Sequence, residues 1–351
     1  MDLKRTGALI GLAAMTTVGL AACSDNNAGS GDTAAQAVEG AECGGKTSLN
    51  ASGASSQNNA MTIFANSYAM SCDGATLDYN SNGSGAGVKE FIGGQTDFGG
   101  SDSPLKEDEY PQAEERCESP AWNLPAVFGP IAVAYNLDGV EVALSGETLA
   151  SIFKGDITKW NDPAIAAENE GAELPDQDIT VVFRSDESGT TDNFQKYLSA
   201  AGGDAWGLEA GKTFNGGVGE GAKGNEGVSA AVAQTPGTIT YTEWSYAKSQ
   251  DLGMVKIITP ADAAGVELNA ETAGETINSA KLKNENSNDL VIDTSSFYVP
   301  EAAGAYPIIM PTYEIVCSSY TDTEMAQAVR SFLSVAVSED VQSQLEAEGY
   351  I

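Results

Sequence analysis

Short apolar runs alternate with amphipathic stretches along most of the chain. Runs of strand length lie at residues 76–79, 124–128, 131–135, 179–183, 239–242 and 308–317. Stretches with apolar positions at helical spacing lie at about 60–70, 88–92 and 192–198. Strands that alternate with helices are typical of α/β domains, in which ligands bind at the C-terminal ends of the strands. The pattern therefore predicts an α/β fold, and no internal repeat accompanies it.

The segment Arg184–Thr191 joins a predicted strand, 179–183, to the predicted helix at 192–198. Its Ser-Gly-Thr turn would direct several unpaired backbone N–H groups of the helix start at one point. Arg184 can add two parallel hydrogen bonds to an anion. These donors would suit a small oxyanion. The alternative is an ordinary helix cap beside a surface arginine, because Ser and Thr caps are common.

Two further loops have the same kind of composition. Asn50–Ser56 and Asn80–Val88 are rich in Ser, Gly and Ala, and each lies between a strand-like run and a helix-like stretch. Small residues let the backbone approach a ligand closely, and Ser hydroxyls add uncharged donors. Gly83–Gly87 is no dinucleotide fingerprint, since the acidic residue about twenty positions on, Asp102, has the wrong context for a ribose contact. Three such turns in one chain favour an anion site.

A carboxylate at Asp102, within the fourth segment Asp97–Leu105, would repel a fully ionised anion. It becomes useful if the anion carries a proton, because an ionised carboxylate accepts that hydrogen bond whereas sulfate offers it none. The alternative is that Asp102 caps a turn before Ser103 and Pro104, as Asp often does, and contacts no ligand.

The chain is strongly acidic, with 50 acidic and 17 basic residues among 351 and a formal net charge of -33. This charge argues against nucleic acid or an anionic membrane surface as a partner. It also means that local dipoles, hydroxyls and one arginine must hold an anion. The length and a hydrophobic content of 42% suffice for two lobes rather than one core. The sequence has no His, so the usual zinc ligand sets and His-based triads are not expected, and we predict neither metal nor cofactor.

The N-terminus has the layout of a secretion signal. Lys4 and Arg5 precede an apolar run at 8–22, which is too short for a comfortable membrane span and ends in Leu-Ala-Ala before Cys23. This ending resembles the bacterial lipobox, which implies a lipoprotein signal peptide at 1–22 and a diacylglyceryl anchor on Cys23. Residues 23–43 are then a flexible tether, and the protein is expected at the extracytoplasmic face of the cell membrane.

Four cysteines remain once Cys23 is set aside: Cys43, Cys72, Cys117 and Cys317. An even number in an exported chain favours disulfides over free thiols. The count leaves three pairings open.

Taken together, these segments resemble the phosphate-binding protein of the bacterial high-affinity phosphate ABC transporter, an extracytoplasmic solute-binding protein. The resemblance runs from about Thr47 to the end of the chain. Besides the loops above, its motifs are Trp160–Ile165, Gly224–Val228 and Thr235–Tyr241.

The resemblance implies a two-lobed fold of the periplasmic-binding-protein kind, with the ligand in a cleft between the lobes. Lobe one would comprise 44–134 and 312–351, and lobe two 135–311, with crossings near Tyr135 and Met310. Cysteines that this layout brings together within lobe one imply the disulfides Cys43–Cys72 and Cys117–Cys317.

The family's phosphate contacts can be transferred by motif position. In lobe one they correspond to Ser55 and Ser84 as hydroxyl donors, Ser56 as a main-chain donor, and Asp102 as acceptor of the phosphate proton. In lobe two they correspond to Arg184, with Asp186 as its orienting partner, and to the helix-entry donors Ser188, Gly189 and Thr190. The chain departs from the family at Ser56 and Gln57, where an aromatic or Thr and then Pro are usual.

The function implied is capture of inorganic phosphate outside the membrane and delivery to the permease subunits of an ABC importer, without enzymatic activity. The membrane would be contacted through the lipid anchor only. One alternative is a receptor for another oxyanion, sulfate or molybdate, which Asp102 disfavours. Another is a phosphatase-like hydrolase that uses a Ser of these loops, but no general base is evident without His or a metal cluster.

Further expectations concern a glycine-rich segment, the C-terminus and three tryptophans. Gly211–Gly227 is rich in glycine but lacks the Gly-Lys-Ser/Thr ending of phosphate loops for nucleotides, so it is predicted to be a mobile surface loop at the cleft edge. At the C-terminus the family usually continues beyond the position of Ile351 through a Pro-containing segment and a last helix, which implies a truncated chain. Trp160, Trp206 and Trp244 are predicted to pack in the core or on a lobe surface rather than against a ligand.

Overall fold

The structure is a computed structural model that describes residues 37–351 as part of one compact unit. The predicted signal peptide, Cys23 and most of the tether lie outside the described residues. The strands are β1 (Ser48–Gly53), β2 (Thr76–Asn80), β3 (Phe98–Ser101), β4 (Ala121–Tyr135), β5 (Ala143–Ser145), β6 (Thr180–Arg184), β7 (Glu220–Ala222), β8 (Thr238–Glu243), β9 (Gly253–Met254), β10 (Lys256–Thr259), β11 (Asp262–Val266), β12 (Lys281–Leu282), β13 (Ile292–Asp293) and β14 (Ile309–Cys317).

Helices follow most of the strands. They are α1 (Asn58–Ser71), α2 (Ser84–Ile92), α3 (Tyr110–Cys117), α4 (Gly146–Lys154), α5 (Pro163–Glu168), α6 (Gly189–Gly202), α7 (Gly224–Gln234), α8 (Trp244–Ser249), α9 (Ala270–Ile277), α10 (Thr323–Ala336), α11 (Glu339–Gln342) and α12 (Leu345–Glu348), with short 3-10 helices at Ser55–Gln57, Gly203–Ala205 and Thr294–Ser296. No helix within residues 37–351 is long and apolar enough to cross a membrane.

The main sheet has the order β2-β1-β3-β14-β4-β8-β6-β7, with β9 also paired to β4. β1 is parallel to β2 and β3, whereas β14 is antiparallel to both β3 and β4. On the other side, β6 is parallel to β7 and β8. The parallel strands of each half are followed by helices, which confirms the α/β prediction.

Strand β4 connects the two halves of the sheet. It pairs with β14 from Ala121 to Pro130 and with β8 from Ile131 to Tyr135. The sequence predicted two strands here because Gly129 and Pro130 separate the apolar runs. That interpretation was wrong: the Gly-Pro pair lies where β4 changes neighbours, and the strand continues through it. The change of partner is close to the crossing predicted near Tyr135, and the lobe boundaries stay a prediction.

The apolar core consists of two large clusters, one on each side of this change of partner. The first packs α1 and α10 over the β1–β3 side, with Phe332 in ring contact with Phe64, Tyr68 and Phe98. The second cluster surrounds Tyr241 of β8 and contains all three tryptophans named above. Each tryptophan is buried, as predicted.

Both predicted disulfides are present. Cys43–Cys72 ties the start of the described chain to the end of α1, and Cys117–Cys317 ties the end of α3 to the end of β14. In each the Cα atoms are 5.4 Å apart, within the usual range for a disulfide.

The sequence predicted a mobile surface loop for Gly211–Gly227. That prediction was wrong for part of the segment. β7 joins the main sheet beside β6, and α7 begins at Gly224. Phe214 anchors the preceding part by stacking on Phe183, with ring centroids 4.9 Å apart. Apolar burial of Phe214, which the surrounding glycines obscured in the sequence, holds the segment against the second core cluster.

Candidate anion-binding site

Four strand ends meet where the main sheet changes from one half to the other. β1 leads into the 3-10 helix Ser55–Gln57, β2 leads into α2, β3 leads to Asp102, and β6 leads to Arg184 and α6. Two predicted boundaries were wrong. Asn50–Gly53 belongs to β1 rather than to a loop, and α2 begins at Ser84 rather than at Val88, because small residues that favour turns also fit these crowded element ends.

Asp102 lies at the centre of these ends and is 2% exposed. Its carboxylate accepts a short hydrogen bond from Ser56 Oγ, and longer ones of 3.4 Å from Ser84 Oγ and from Thr190 Oγ1. Its own backbone N–H donates to Ser84 Oγ at 3.2 Å. Hydroxyl groups from both halves of the main sheet therefore converge on the carboxylate of Asp102.

Burial raises the pKa of Asp102 to about 6, although the hydrogen bond from Ser56 and the charge of Arg184 oppose the shift. The group is mostly ionised at neutral pH and becomes protonated in mildly acidic solution. An ionised Asp102 can only accept hydrogen bonds, at both oxygens, whereas a protonated one also carries an O–H donor.

Arg184 is 2% exposed and is held by a bidentate ion pair with Asp186. Nε donates to Asp186 Oδ1 at 2.8 Å and Nη2 donates to Oδ2 at 2.5 Å. The orienting role predicted for Asp186 thus has a matching contact. Burial alone would raise the pKa of Asp186, but the hydrogen bonds and charge of Arg184 outweigh it and hold the pKa below its usual value.

The remaining donor of Arg184 faces the centre of the site. Among the described residues, Nη1 has only a long contact of 3.5 Å to Thr190 Oγ1, which itself approaches Asp102. Asp186 also accepts a hydrogen bond of 3.0 Å from the backbone of Gly224 at the start of α7. A charged N–H group with so weak a partner is suited to bind an anion.

The N-terminus of α6 closes the site from the second half. Ser188 is the N-cap, and its Oγ accepts from Thr191 N–H at 3.1 Å. Gly189 N–H donates to Ser84 Oγ at 3.1 Å, so the first turn of α6 contacts the first turn of α2. Two helix N-termini, each with partial positive charge, therefore face one point.

Ser55 makes a separate contact across the site, with a residue for which the sequence indicated no role. Its Oγ accepts from Asn225 N–H at 3.1 Å and from Asn225 Nδ2 at 3.0 Å. Asn225 Oδ1 is in turn bound by Glu243 N–H at 3.0 Å. The motif Gly224–Val228 contained this residue, but only its position at the start of a helix could have indicated an anion site.

Two further residues of the site were missed. Tyr241 OH accepts from Arg184 N–H at 3.2 Å and lies 2.8 Å from Thr191 Oγ1. Asn193 Nδ2 donates to the carbonyl of Asp102 at 2.8 Å. Tyr241 ends the motif Thr235–Tyr241, to which no ligand role was given, and Asn193 lies in a predicted helix, so neither was predicted as a site residue.

All of the predicted phosphate-site residues thus belong to one contiguous group of contacts. Within residues 37–351 no cluster of acidic or cysteine side chains could hold a metal ion. The group offers hydroxyl, amide and guanidinium donors together with one buried carboxylate acceptor.

Comparison with known proteins places this arrangement in a family. Residues 28–340 match the model of the PBP superfamily domain. The chain is 54% identical to the phosphate-binding protein PstS 3 of Mycobacterium tuberculosis (strain ATCC 25618 / H37Rv), with all of this chain and 95% of that protein aligned. It is 51% identical to PstS 2 of the same strain, over 96% of this chain and 92% of that protein.

The chain belongs to the PstS family of phosphate-binding proteins. This family consists of extracytoplasmic solute-binding receptors rather than enzymes.

The fold is also that of solved family structures. A high-affinity periplasmic phosphate-binding protein, solved with bound phosphate, superposes with a TM-score of 0.72 at 23% identity, over 87% of this chain and 90% of that one. The chain therefore has the two-lobed periplasmic-binding-protein fold that the resemblance implied.

Proposed function

We propose that this protein binds inorganic phosphate at the site around Asp102 and delivers it to the permease subunits of a phosphate ABC importer. The observation that carries the proposal is a buried carboxylate placed among hydroxyl groups, opposite Arg184 and two helix N-termini. Hydrogen phosphate is an oxyanion that both needs such donors and offers a proton to Asp102. The names of the PstS relatives support the same ligand.

The ligand would be gripped from both halves of the protein. Ser55, Ser56, Ser84 and Asp102 would act from lobe one, formed by 44–134 and 312–351. Arg184, Ser188, Gly189 and Thr190 would act from lobe two, 135–311, with Asp186 fixing the guanidinium. Because β4 and β14 are the strands at the junction, closure would be a hinge movement about them.

Calorimetric titration with phosphate tests the proposal, with sulfate and molybdate as the competing ligands. We expect saturable binding of phosphate and at least tenfold weaker binding of sulfate, which is a difference of about 1.4 kcal/mol. Tighter binding of sulfate or molybdate would contradict the proposal. Phosphate release from an aryl phosphate would instead favour a hydrolase. That function would need a general base, and no His is present to act as one.

We further propose that a lipid on Cys23 anchors the protein at the extracytoplasmic face of the membrane, with residues 23–43 as the tether. The support is the apolar run at 8–22 and the Leu-Ala-Ala sequence before Cys23. A Cys23→Ser protein should be released from the membrane fraction in its producing cell. Full retention of this variant on membranes would exclude the anchor.

A further inference from the structure

Lys212 is a buried cation to which the proposed phosphate site gives no role. The residue is 7% exposed, and its Nζ has no hydrogen-bond partner among residues 37–351. Burying an ammonium group without a partner is costly, so a buried lysine normally lies beside an anion. This lysine therefore needs an explanation.

The loop around Lys212 is fastened to the helix that begins at the site. Ser188 N–H, at the N-cap of α6, donates to the carbonyl of Lys212 at 2.8 Å. About two turns further on, Gln195 Nε2 donates to the carbonyls of Gly211 and Thr213 at 2.8 and 3.0 Å. The backbone of residues 211–213 is thus fastened to the N-cap and to the second turn of α6.

Charged groups from both halves of the protein act on the Lys212 ammonium. Burial lowers its pKa, whereas the carboxylates of Glu109, Asp192 and Asp102 oppose that shift, and Lys106 adds to it. Lys212 in turn favours the ionised form of Asp102 by lowering the pKa of that carboxyl. The ammonium is therefore within electrostatic range of the acceptor at the centre of the site.

Asp192, the acidic neighbour on α6, is already committed to other partners. Its Oδ2 accepts hydrogen bonds of 2.6 Å from both Ser103 Oγ and Lys196 Nζ. These contacts satisfy Asp192 without Lys212. The buried ammonium therefore has no hydrogen-bonded counterion among residues 37–351.

The charges of the site also favour a second cation. The formal charges of Arg184 and Asp186 cancel in their ion pair, so Asp102 gives these three residues a net negative charge. A site with net negative charge would oppose a dianion. Lys212 supplies the missing positive charge.

We propose that Lys212 is a second cationic residue of the phosphate site, which offsets the charge of Asp102 and favours the dianionic form of phosphate. The inference rests on the proposed function, because it names a further residue of the same site. It departs from the expectation that Arg184 is the lone charged donor.

The test compares Lys212→Met with wild type by calorimetric titration of phosphate near pH 8 and near pH 5.5. Lys212→Gln is a second uncharged variant, in case one of the two fails to fold, and Lys212→Arg retains the charge. The matched control is Lys106→Met, which removes the same charge from an exposed residue that also acts electrostatically on Lys212. Thermal melting without phosphate monitors the fold.

We expect Lys212→Met and Lys212→Gln to weaken binding near pH 8 by about tenfold or more, and by clearly less near pH 5.5, where phosphate is mostly a monoanion. Lys212→Arg and Lys106→Met should stay within about threefold of wild type. An uncharged variant that binds phosphate as wild type does, or one that loses thermal stability but not affinity, would overturn the inference and leave the proposed function intact. A wild-type protein that does not bind phosphate would overturn both.

Discussion

Gly189 lies so close to Asp102 that a Cβ on Gly189 would be 2.6 Å from the Cβ of Asp102. The same atom would be 2.6 Å from Ser84 Oγ. Glycine at this position is therefore required by the approach of α6 to the opposite half of the site, and not by its own backbone angles, since Gly189 has no positive φ.

Gly189→Ala should weaken phosphate binding by about tenfold or more, because the added methyl group would hold α6 away from Ser84 and Asp102. The matched control is Gly274→Ala in α9, where an added Cβ meets nothing within 4 Å. That change should leave affinity unaltered and raise stability by about 0.5–1 kcal/mol. Titration of both variants decides the point, and equal affinities would mean that the contact between the halves does not matter for binding.

Arg184→Ala should weaken phosphate binding far more than Ser→Ala at Ser55, Ser84 or Ser188. Charged hydrogen bonds are roughly twice as strong as neutral ones, and the variant also leaves Asp186 buried without its partner. The control is Arg330→Ala, which removes an exposed arginine paired with Glu42. An Arg184→Ala protein with wild-type affinity would exclude this arginine from the site.

Asp102→Asn should change selectivity more than affinity. The amide oxygen still accepts the phosphate proton, whereas the N–H can face a sulfate oxygen that a carboxylate would repel. We expect the ratio of phosphate to sulfate affinity to fall by about tenfold or more. Competition of each anion against labelled phosphate measures this ratio, and an unchanged ratio would reduce Asp102 to a turn residue.

Acid should have a similar effect in the wild-type protein. Because the pKa of Asp102 is about 6, lowering the pH through that value protonates the carboxyl and removes its repulsion of sulfate. Sulfate binding should therefore strengthen as the pH falls, and the Asp102→Asn variant should show a smaller change.

Glu314 should make the stability of the protein depend on pH. The side chain is 1% exposed and neither carboxylate oxygen has a hydrogen-bond partner within the described part of the chain. Burial and the nearby charge of Asp102 raise its pKa to about 8. The folded state thus binds this proton more tightly than the unfolded state. The contribution of Glu314 to the free energy of unfolding is therefore full below pH 4.5, decreases as the pH rises, and is lost once the pH has passed about 8.

Glu314→Gln removes this titrating group at nearly constant volume. The variant should melt with a smaller decrease between mildly acidic and alkaline pH than wild type does, when both are measured without phosphate. The comparison is made between slopes, because Glu243, with a pKa raised by burial to about 8, contributes in the same direction. Parallel pH profiles for the two proteins would show that Glu314 does not titrate in this range.

The sequence predicted those parts of the site that are local. A strand, a turn of small residues and a helix recur at Ser55, Ser84 and Arg184, and each turn is encoded within about ten residues of chain. The ion pair of Arg184 with Asp186, which the family resemblance implied, also spans only two positions.

Contacts between distant segments could not be predicted in this way. Asn225 binds Ser55 across 170 positions, and its role depends on the tertiary packing of α7. Lys212 lies in the glycine-rich segment Gly211–Gly227, which was predicted to be a mobile surface loop, whereas packing of Phe214 on Phe183 holds this part of the segment against the core. The continuous strand β4 was hidden by its Gly-Pro pair, which indicates a turn in local sequence.

The Cys117–Cys317 disulfide closes a loop of the chain with a sequence separation of 200 residues. The whole of residues 135–311 lies within this covalent ring. A protease that cuts once inside the ring would therefore leave a single molecule, whose two fragments separate on a denaturing gel only after reduction. For a protein exposed to proteases outside the cell, the two halves of the binding site would therefore stay covalently connected after one such cut.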